Sequence, residues 1–315
     1  RADEGTTPLS GRLVIYFADP AEVRGDPSGG PFFSSPQPML GADVNALAPN
    51  DAVTVEEQTA TRFPLEGIPA GTYRVQAVLD TKRLNSRWER EPGNLYSAVG
   101  QATVLDNGHT TIALNLTSTT TAEQPEPREG VEFVEIQSKL LSEFRGTPVT
   151  LRAGVAFPAN YDPSRKYPAV YTVPGFGGDH TSARPQTRSP LAQHAFRITL
   201  DPEGPNGHHL FADSANNGPV GQALVTELIP ALEQQFNLVQ DPDARVLRGH
   251  SSGGWSVVWL ATRYPDTFGL ALSSAPDPVA FDHFQTIDIY TPPNAYTHPD
   301  PVTQQPQPVP SYRRN

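Results

Sequence analysis

Apolar residues change their spacing part-way along this chain. Over the first ~120 residues they come in short runs or alternate with polar ones. Leu13-Val14-Ile15-Tyr16-Phe17 is a compact apolar run, and Thr72 to Leu79 alternates with period two, as a half-buried strand does. Ala98 to Leu105 and His109 to Leu116 flank Asp106-Asn107-Gly108, whose Asn-Gly step predicts a hairpin turn. Gly67-Ile68-Pro69-Ala70-Gly71 punctuates the chain just before its strand. No helical period of any length occurs here. The pattern predicts a small all-β sandwich over residues 1–120.

Thr117 to Gly130 is polar, carries two prolines and has no apolar period, which predicts a linker centred on residues 121–130. Beyond it the spacing is different. Val131 to Ile136 and Val149 to Phe157 read as strands, and Tyr167 to Val173 is a nearly unbroken apolar run, as in a strand covered on both faces. Leu224, Val225, Leu228, Ile229, Leu232 and Phe236 recur at helical spacing across Gln222–Phe236, with Pro230 as an expected kink. A strand over Ala244–Arg248, a helix over Trp255–Tyr264 closed by Pro265, and a strand over Phe268–Ser274 follow. Strands alternating with helices predict a mostly parallel α/β sheet over residues 131–315.

Between the strand at Ala244–Arg248 and its helix lies Gly249-His250-Ser251-Ser252-Gly253, a G-x-S-x-G pentapeptide. A strand, a sharp turn and a helix in that order make a nucleophile elbow, which lifts a serine hydroxyl above the sheet edge. The flanking glycines let strand and helix approach without a side chain between them. Ser251 is thus the candidate nucleophile. After the strand ending at Val173 comes Pro174-Gly175-Phe176-Gly177-Gly178-Asp179-His180. A glycine-rich turn there can offer backbone N–H groups to a developing oxyanion, together with the N–H of Ser252.

Residues ~131–290 resemble the putative esterase family of α/β-hydrolases, the group that holds esterase D, feruloyl esterases and enterochelin esterases. The matching motifs are Tyr167-Pro-Ala-Val-Tyr-Thr-Val-Pro-Gly-Phe-Gly-Gly, Glu227-Leu-Ile-Pro, Gly249-His-Ser-Ser-Gly-Gly-Trp, Arg263-Tyr-Pro-Asp-Thr-Phe-Gly and Ser273-Ser-Ala-Pro. The resemblance implies that Ser251 is the nucleophile and that Phe176 and Ser252 supply the oxyanion N–H groups. It also fits an N-terminal β domain, which several family members carry. One departure is Pro174-Gly175-Phe176, where the family usually has His-Gly-Phe.

The family order places an acid and then a histidine after the serine, each following a later strand. Only 64 residues follow Ser251, and the last ~25 are rich in Pro and Gln. Asp277, Asp282, Asp288 and Asp300 lie downstream, as do His283 and His298. Asp277 follows a strand, so it is the in-chain candidate acid, although an Asp between two prolines also reads as a loop cap. His298 is the in-chain candidate base, in a segment that predicts no strand to hold it. The expectation is that the acid and the histidine lie on sequence beyond this chain, and that the sheet is incomplete at its C-terminal end.

Composition narrows the partners. The net charge of −11 argues against nucleic acid or an anionic membrane as partner, and no apolar run reaches the ~20 residues of a membrane span. The absence of cysteine excludes disulfides, thiol catalysis and Cys-ligated metals. A start at Arg1 rather than Met predicts a removed signal peptide and an exported protein. The 34 prolines gather in loops such as Gly25–Pro38 and Pro292–Pro310.

Several residues take plainer readings. His250 is the variable position of the elbow and is expected to pack. His208-His209 with Asp201 and Asp213 spell metal-ligating residue types, but adjacent histidines on a Gly/Pro loop point apart, so no metal and no cofactor are expected. The loop Pro202–Pro219 is either solvent loop or a wall of an acyl pocket. Trp255 and Trp259, at i and i+4, read as core, and Asn115-Leu116-Thr117 as a chance glycosylation triplet. The sequence therefore predicts a serine esterase working through an acyl-enzyme on a small or carbohydrate-linked ester. A non-catalytic α/β-hydrolase homologue that binds rather than reacts, and an acyltransferase on the same scaffold, are the alternatives.

Overall fold

A computed structural model describes residues 8–29, 35–56, 59–63, 67–105, 111–121, 125–185, 193–284, 288–291, 294, 297–300 and 302–308. The chain divides into two compact units, residues 1–124 and 125–315.

In the first unit the strands are β1 (Leu9–Ala18), β2 (Met39–Leu47), β3 (Thr61–Phe63), β4 (Gly71–Asp80), β5 (Leu95–Ser97), β6 (Gly100–Val104) and β7 (Leu116–Thr119). They form one seven-stranded sheet in the order β3-β2-β1-β4-β5-β7, with β6 also on β4. Every pairing is antiparallel. In β4, Gln76 and Val78 are buried as well as Tyr73, Val75, Ala77 and Leu79 on the opposite face. The last four join two apolar clusters, one with Phe17, Leu40 and Val104, the other with Leu13, Val44 and Leu95.

Two expectations are not confirmed here. The facing sheets of a sandwich are not separated among the described residues. The reason is a fork: Gly71–Val75 of β4 pair with β6 while Val78 and Leu79 pair with β5, so both attach to one edge of one strand. The hairpin expected around Asp106-Asn107-Gly108 is not seen among the described residues either. Its turn lies outside the described residues, residues 111–115 are not strand, and β7 pairs with β5 instead of β6.

The second unit runs β8 (Val131–Ser138), α1 (Lys139–Arg145), β9 (Val149–Ala156), β10 (Ala169–Val173), β11 (Phe196–Leu200), β12 (Glu203–Gly204), β13 (Gly207–His208), α2 (Val220–Ala223), α3 (Ile229–Gln235), β14 (Arg245–His250), α4 (Ser252–Arg263), β15 (Leu270–Ser274), β16 (Thr297–Pro299) and β17 (Pro306–Pro308). Its six-stranded sheet has the order β15-β14-β10-β11-β9-β8. The four strands β15, β14, β10 and β11 are parallel, while β9 and β8 run antiparallel to their neighbours. The sheet is therefore mixed.

Tyr171, Ile198 and Leu247 are directly paired across three strands and fully buried. They pack with Leu224, Leu228 and Leu232 from the helical segment before β14, and with Val257 and Leu260 of α4. The helix expected over Gln222–Phe236 is present with an interruption. A π turn over Leu224–Leu228 separates α2 from α3, with Pro230 in the first turn of α3. Pro230 has no N–H to donate, and the widened turn ahead of it absorbs the lost bond. Arg245 at the start of β14 grips Glu233 of α3 through two hydrogen bonds, 2.5 and 3.1 Å long. That bond raises the Arg245 pKa above its ordinary value. Strand β14 is thereby pinned where it delivers the elbow.

Candidate active site

Ser251 sits between the end of β14 and the start of α4 with φ 56° and ψ −126°. Such a backbone costs a non-glycine residue roughly 1–3 kcal/mol and persists only where its surroundings impose it. Here they do. The Ser251 N–H donates to the Ser274 carbonyl at 3.1 Å, and its carbonyl accepts from the Trp255 N–H at 3.0 Å. A Cβ on Gly249 would lie 2.1 Å from the Gly253 oxygen, and one on Gly253 would lie 2.1 Å from the Val173 oxygen. Strand, turn and helix touch through backbone at both glycines, which is the reason for the G-x-S-x-G spacing.

The carboxylate of Asp277, just beyond β15, reaches both serines of the elbow. Its Oδ1 is 3.4 Å from Ser251 Oγ, and its Oδ2 accepts from Ser252 Oγ at 2.6 Å. The first contact is long for a hydroxyl donor, the second short, so the carboxylate is held chiefly by Ser252. The other downstream acids are elsewhere. Asp288 and Asp300 cap their own turns, through the N–H groups of Tyr290 and of Val302 and Thr303. Asp282 lies 3.4 Å from His283, and both are exposed. His298 corrects one expectation, because Thr297–Pro299 does form a strand: β16 pairs antiparallel with β17.

The glycine-rich turn after β10 lies against the elbow. A Cβ on Gly175 would be 3.6 Å from Ser251 Cβ, and the turn closes by a Gly178 N–H to Gly175 carbonyl bond of 3.0 Å. Phe176 is two-thirds exposed, at 67%. Ser252 is the first residue of α4, where backbone N–H groups have no acceptor within the helix.

The loop beginning at Pro202 meets this turn through the β12–β13 hairpin. His208 Nε2 is 2.8 Å from the Pro174 oxygen, and a Cβ on Gly207 would be 3.8 Å from the Phe176 ring. Burial pushes the His208 pKa down, against the Pro174 bond and the charges of Glu203, Asp277 and Asp201. His209 points elsewhere, accepting at Nδ1 from the Phe211 N–H, and burial lowers its pKa to about 3. Asp201 faces His180 at 3.0 Å, and Asp213 accepts from the Gly221 and Gln222 N–H groups and from Tyr264. Each of these four sequence-selected residues thus has its own protein partner. His250, expected to pack, is exposed, with Nδ1 3.2 Å from Ser274 Oγ. Trp255 and Trp259 stack at 5.8 Å on α4, and Trp259 packs against the core.

The "Putative esterase" family model matches residues 147–310, just over half of the chain and the whole of this site. The chain belongs to the esterase family. The chain is also similar to several solved structures. A ferulic acid esterase from Anaeromyces mucronatus is 20% identical, with 49% of this chain and 62% of that one covered and a TM-score of 0.34. A fluorophosphonate-binding serine hydrolase from Staphylococcus aureus is 16% identical, with 48% and 60% covered and a TM-score of 0.39. An S-formylglutathione hydrolase from Agrobacterium tumefaciens is 17% identical, with 45% and 57% covered and a TM-score of 0.35. The esterase chain spans about six-tenths of the length of these structures. No curated protein matches it.

Proposed function

We propose that this chain is a serine carboxylic-ester hydrolase with Ser251 as nucleophile. The observation that carries the reading is the strained backbone of Ser251, imposed by glycine contacts at both sides of the elbow. Ser251 Oγ attacks the ester carbonyl carbon as its proton passes to an imidazole acting as general base, which later returns that proton to the leaving alkoxide. The carbonyl oxygen becomes an oxyanion, which the N–H groups of Phe176 and Ser252 receive. Collapse of the adduct breaks the ester C–O bond, and the alcohol leaves with a proton. Water then cleaves the acyl-serine, returning the acid and the free hydroxyl.

Asp277 is the acid that lies at this serine, and His298 on the β16–β17 hairpin is the in-chain candidate for the imidazole. The direct 3.4 Å approach of a carboxylate to Ser251, with no ring between them, favours a second reading. In it the site is a non-catalytic hydrolase fold that binds its ligand without reacting. A fluorophosphonate probe separates the two. The esterase reading expects covalent labelling that disappears in Ser251→Ala; the binding reading expects no adduct on the wild-type chain.

A further inference from the structure

His208 makes two backbone contacts that fix its chemical state. Its Nδ1 lies 3.1 Å from the Leu210 nitrogen, an N–H that can only donate. The ring must therefore present a lone pair at Nδ1 and carry its single proton at Nε2. That Nε2–H meets the Pro174 carbonyl at 2.8 Å. Neither nitrogen is left to take a proton from a substrate or from Ser251, so the ring is no general base in this arrangement.

What it does is mechanical. Pro174 opens the turn that runs past Ser251, and Phe176 lies two residues later. The same hairpin comes close to both: His208 holds the Pro174 oxygen, and a Cβ on Gly207, at φ 87°, would lie 3.8 Å from the Phe176 ring. The hairpin is itself anchored behind, because the His209 N–H donates to the Pro202 carbonyl at 2.8 Å. Leu210 and Phe211 follow at φ 60° and 51°, a tight left-handed pair that returns the Leu210 N–H to the ring. The charged groups around the ring are Glu203 on its own hairpin, Asp201 at the end of β11, Asp277 after β15, and the neighbouring His209.

We propose that His208 is a positioning residue: held between the Leu210 N–H and the Pro174 carbonyl, it clamps the β12–β13 hairpin onto the Pro174–Gly178 turn and sets the place of the Phe176 N–H against Ser251. The proposal rests on the reading of that turn as an oxyanion site. A second proton on the ring would enter at Nδ1, face the Leu210 N–H, and release the clamp.

The test uses the full chain with His208→Leu and His208→Gln, the latter keeping an N–H donor near the position of Nε2. The rate of fluorophosphonate labelling at Ser251 is expected to fall about tenfold in His208→Leu, the scale of a small misplacement of a reacting group, and to stay within about threefold in His208→Gln. In the wild type the rate should drop as the ring protonates in acid, and that step should be missing in His208→Gln. Long-range 1H–15N spectra of the wild type should show His208 as the Nε2–H tautomer. Labelling of His208→Leu at the wild-type rate overturns the proposal, as does a glutamine variant as slow as the leucine one. An Nδ1–H tautomer overturns it as well. If the wild type takes no label, the esterase reading fails instead, and the tautomer spectrum still decides whether the clamp exists.

Discussion

Gly253→Ala is the sharpest single perturbation of the elbow. An alanine Cβ there would stand 2.1 Å from the Val173 oxygen, 2.6 Å from the Pro174 oxygen and 2.9 Å from the Val173 carbon, all of them backbone atoms. Since real Cβ atoms keep at least 3.0 Å from their neighbours, α4 must back away from the end of β10 by about 1 Å. Overpacking of this kind costs about 1–3 kcal/mol, against a gain of at most ~1 kcal/mol from the better helix propensity of alanine. The clash wins. The net cost of up to about 2 kcal/mol, at roughly 2–4 °C of Tm per kcal/mol for a unit of this size, lowers Tm by up to about 8 °C. Trp255 and Trp259 lie on the displaced helix, and their fluorescence reports its melting. A 1 Å displacement of Ser251 from the turn should also slow fluorophosphonate labelling about 100-fold. Gly29→Ala, where the new Cβ meets nothing within 4 Å, is the control and should change stability by less than ~0.5 kcal/mol. A Gly253→Ala protein with wild-type Tm and wild-type labelling would refute the close-approach argument.

Further outcomes follow from the packing. Glu233→Leu leaves Arg245 without its two-bond partner at the base of β14, and should destabilise the chain by about 3–5 kcal/mol in urea unfolding; a change below ~1 kcal/mol would mean the pair is solvated. His209 stays neutral in the folded chain down to about pH 3, whereas the unfolded chain protonates it near its ordinary value of 6.5. Its contribution is thus complete above pH 6.5 and is lost as pH falls toward 3, with a slope of up to about 1.4 kcal/mol per pH unit. Urea midpoints measured between pH 6.5 and 5 should fall less steeply in His209→Gln than in the wild type, and equal slopes would contradict the assignment. Limited proteolysis should cut first between residues 120 and 130, where the polar chain follows the last paired residue of β7. First cuts within the β12–β13 loop would place the weakest backbone in the second unit instead.

The parts of this molecule that were legible in its sequence are those set by local sterics. The elbow is one, because a Cβ at Gly249 or Gly253 would stand 2.1 Å from a backbone oxygen, so both positions tolerate only glycine. The strand β4 is another, although both of its faces are buried from Val75 to Leu79. β11 went unread: Phe196 to Leu200 alternates over only five residues, with Arg197 and Thr199 as its polar positions. Its burial comes from lying between β10 and β9, a pairing that no local pattern encodes. The Asn-Gly turn expected after Leu105 lies outside the described residues, and β6 just before it pairs along β4, a partner about 30 residues back that no local pattern encodes. In the site, Asp277 was legible as an acid after a strand, but its hold on Ser252 links residues 25 apart. The contacts of His208 are with backbone atoms of Pro174 and Leu210, and a backbone acceptor leaves no trace in residue identity.

The central claim is that Ser251 is a nucleophile and not simply a strained turn. Intact-mass spectrometry of the full chain after incubation with a fluorophosphonate, followed by peptide mapping, tests it most directly. The account predicts one adduct per chain, located on Ser251 in the peptide that spans β14 and α4, and none in Ser251→Ala. An unmodified wild-type chain, or an adduct that persists in Ser251→Ala, would contradict it.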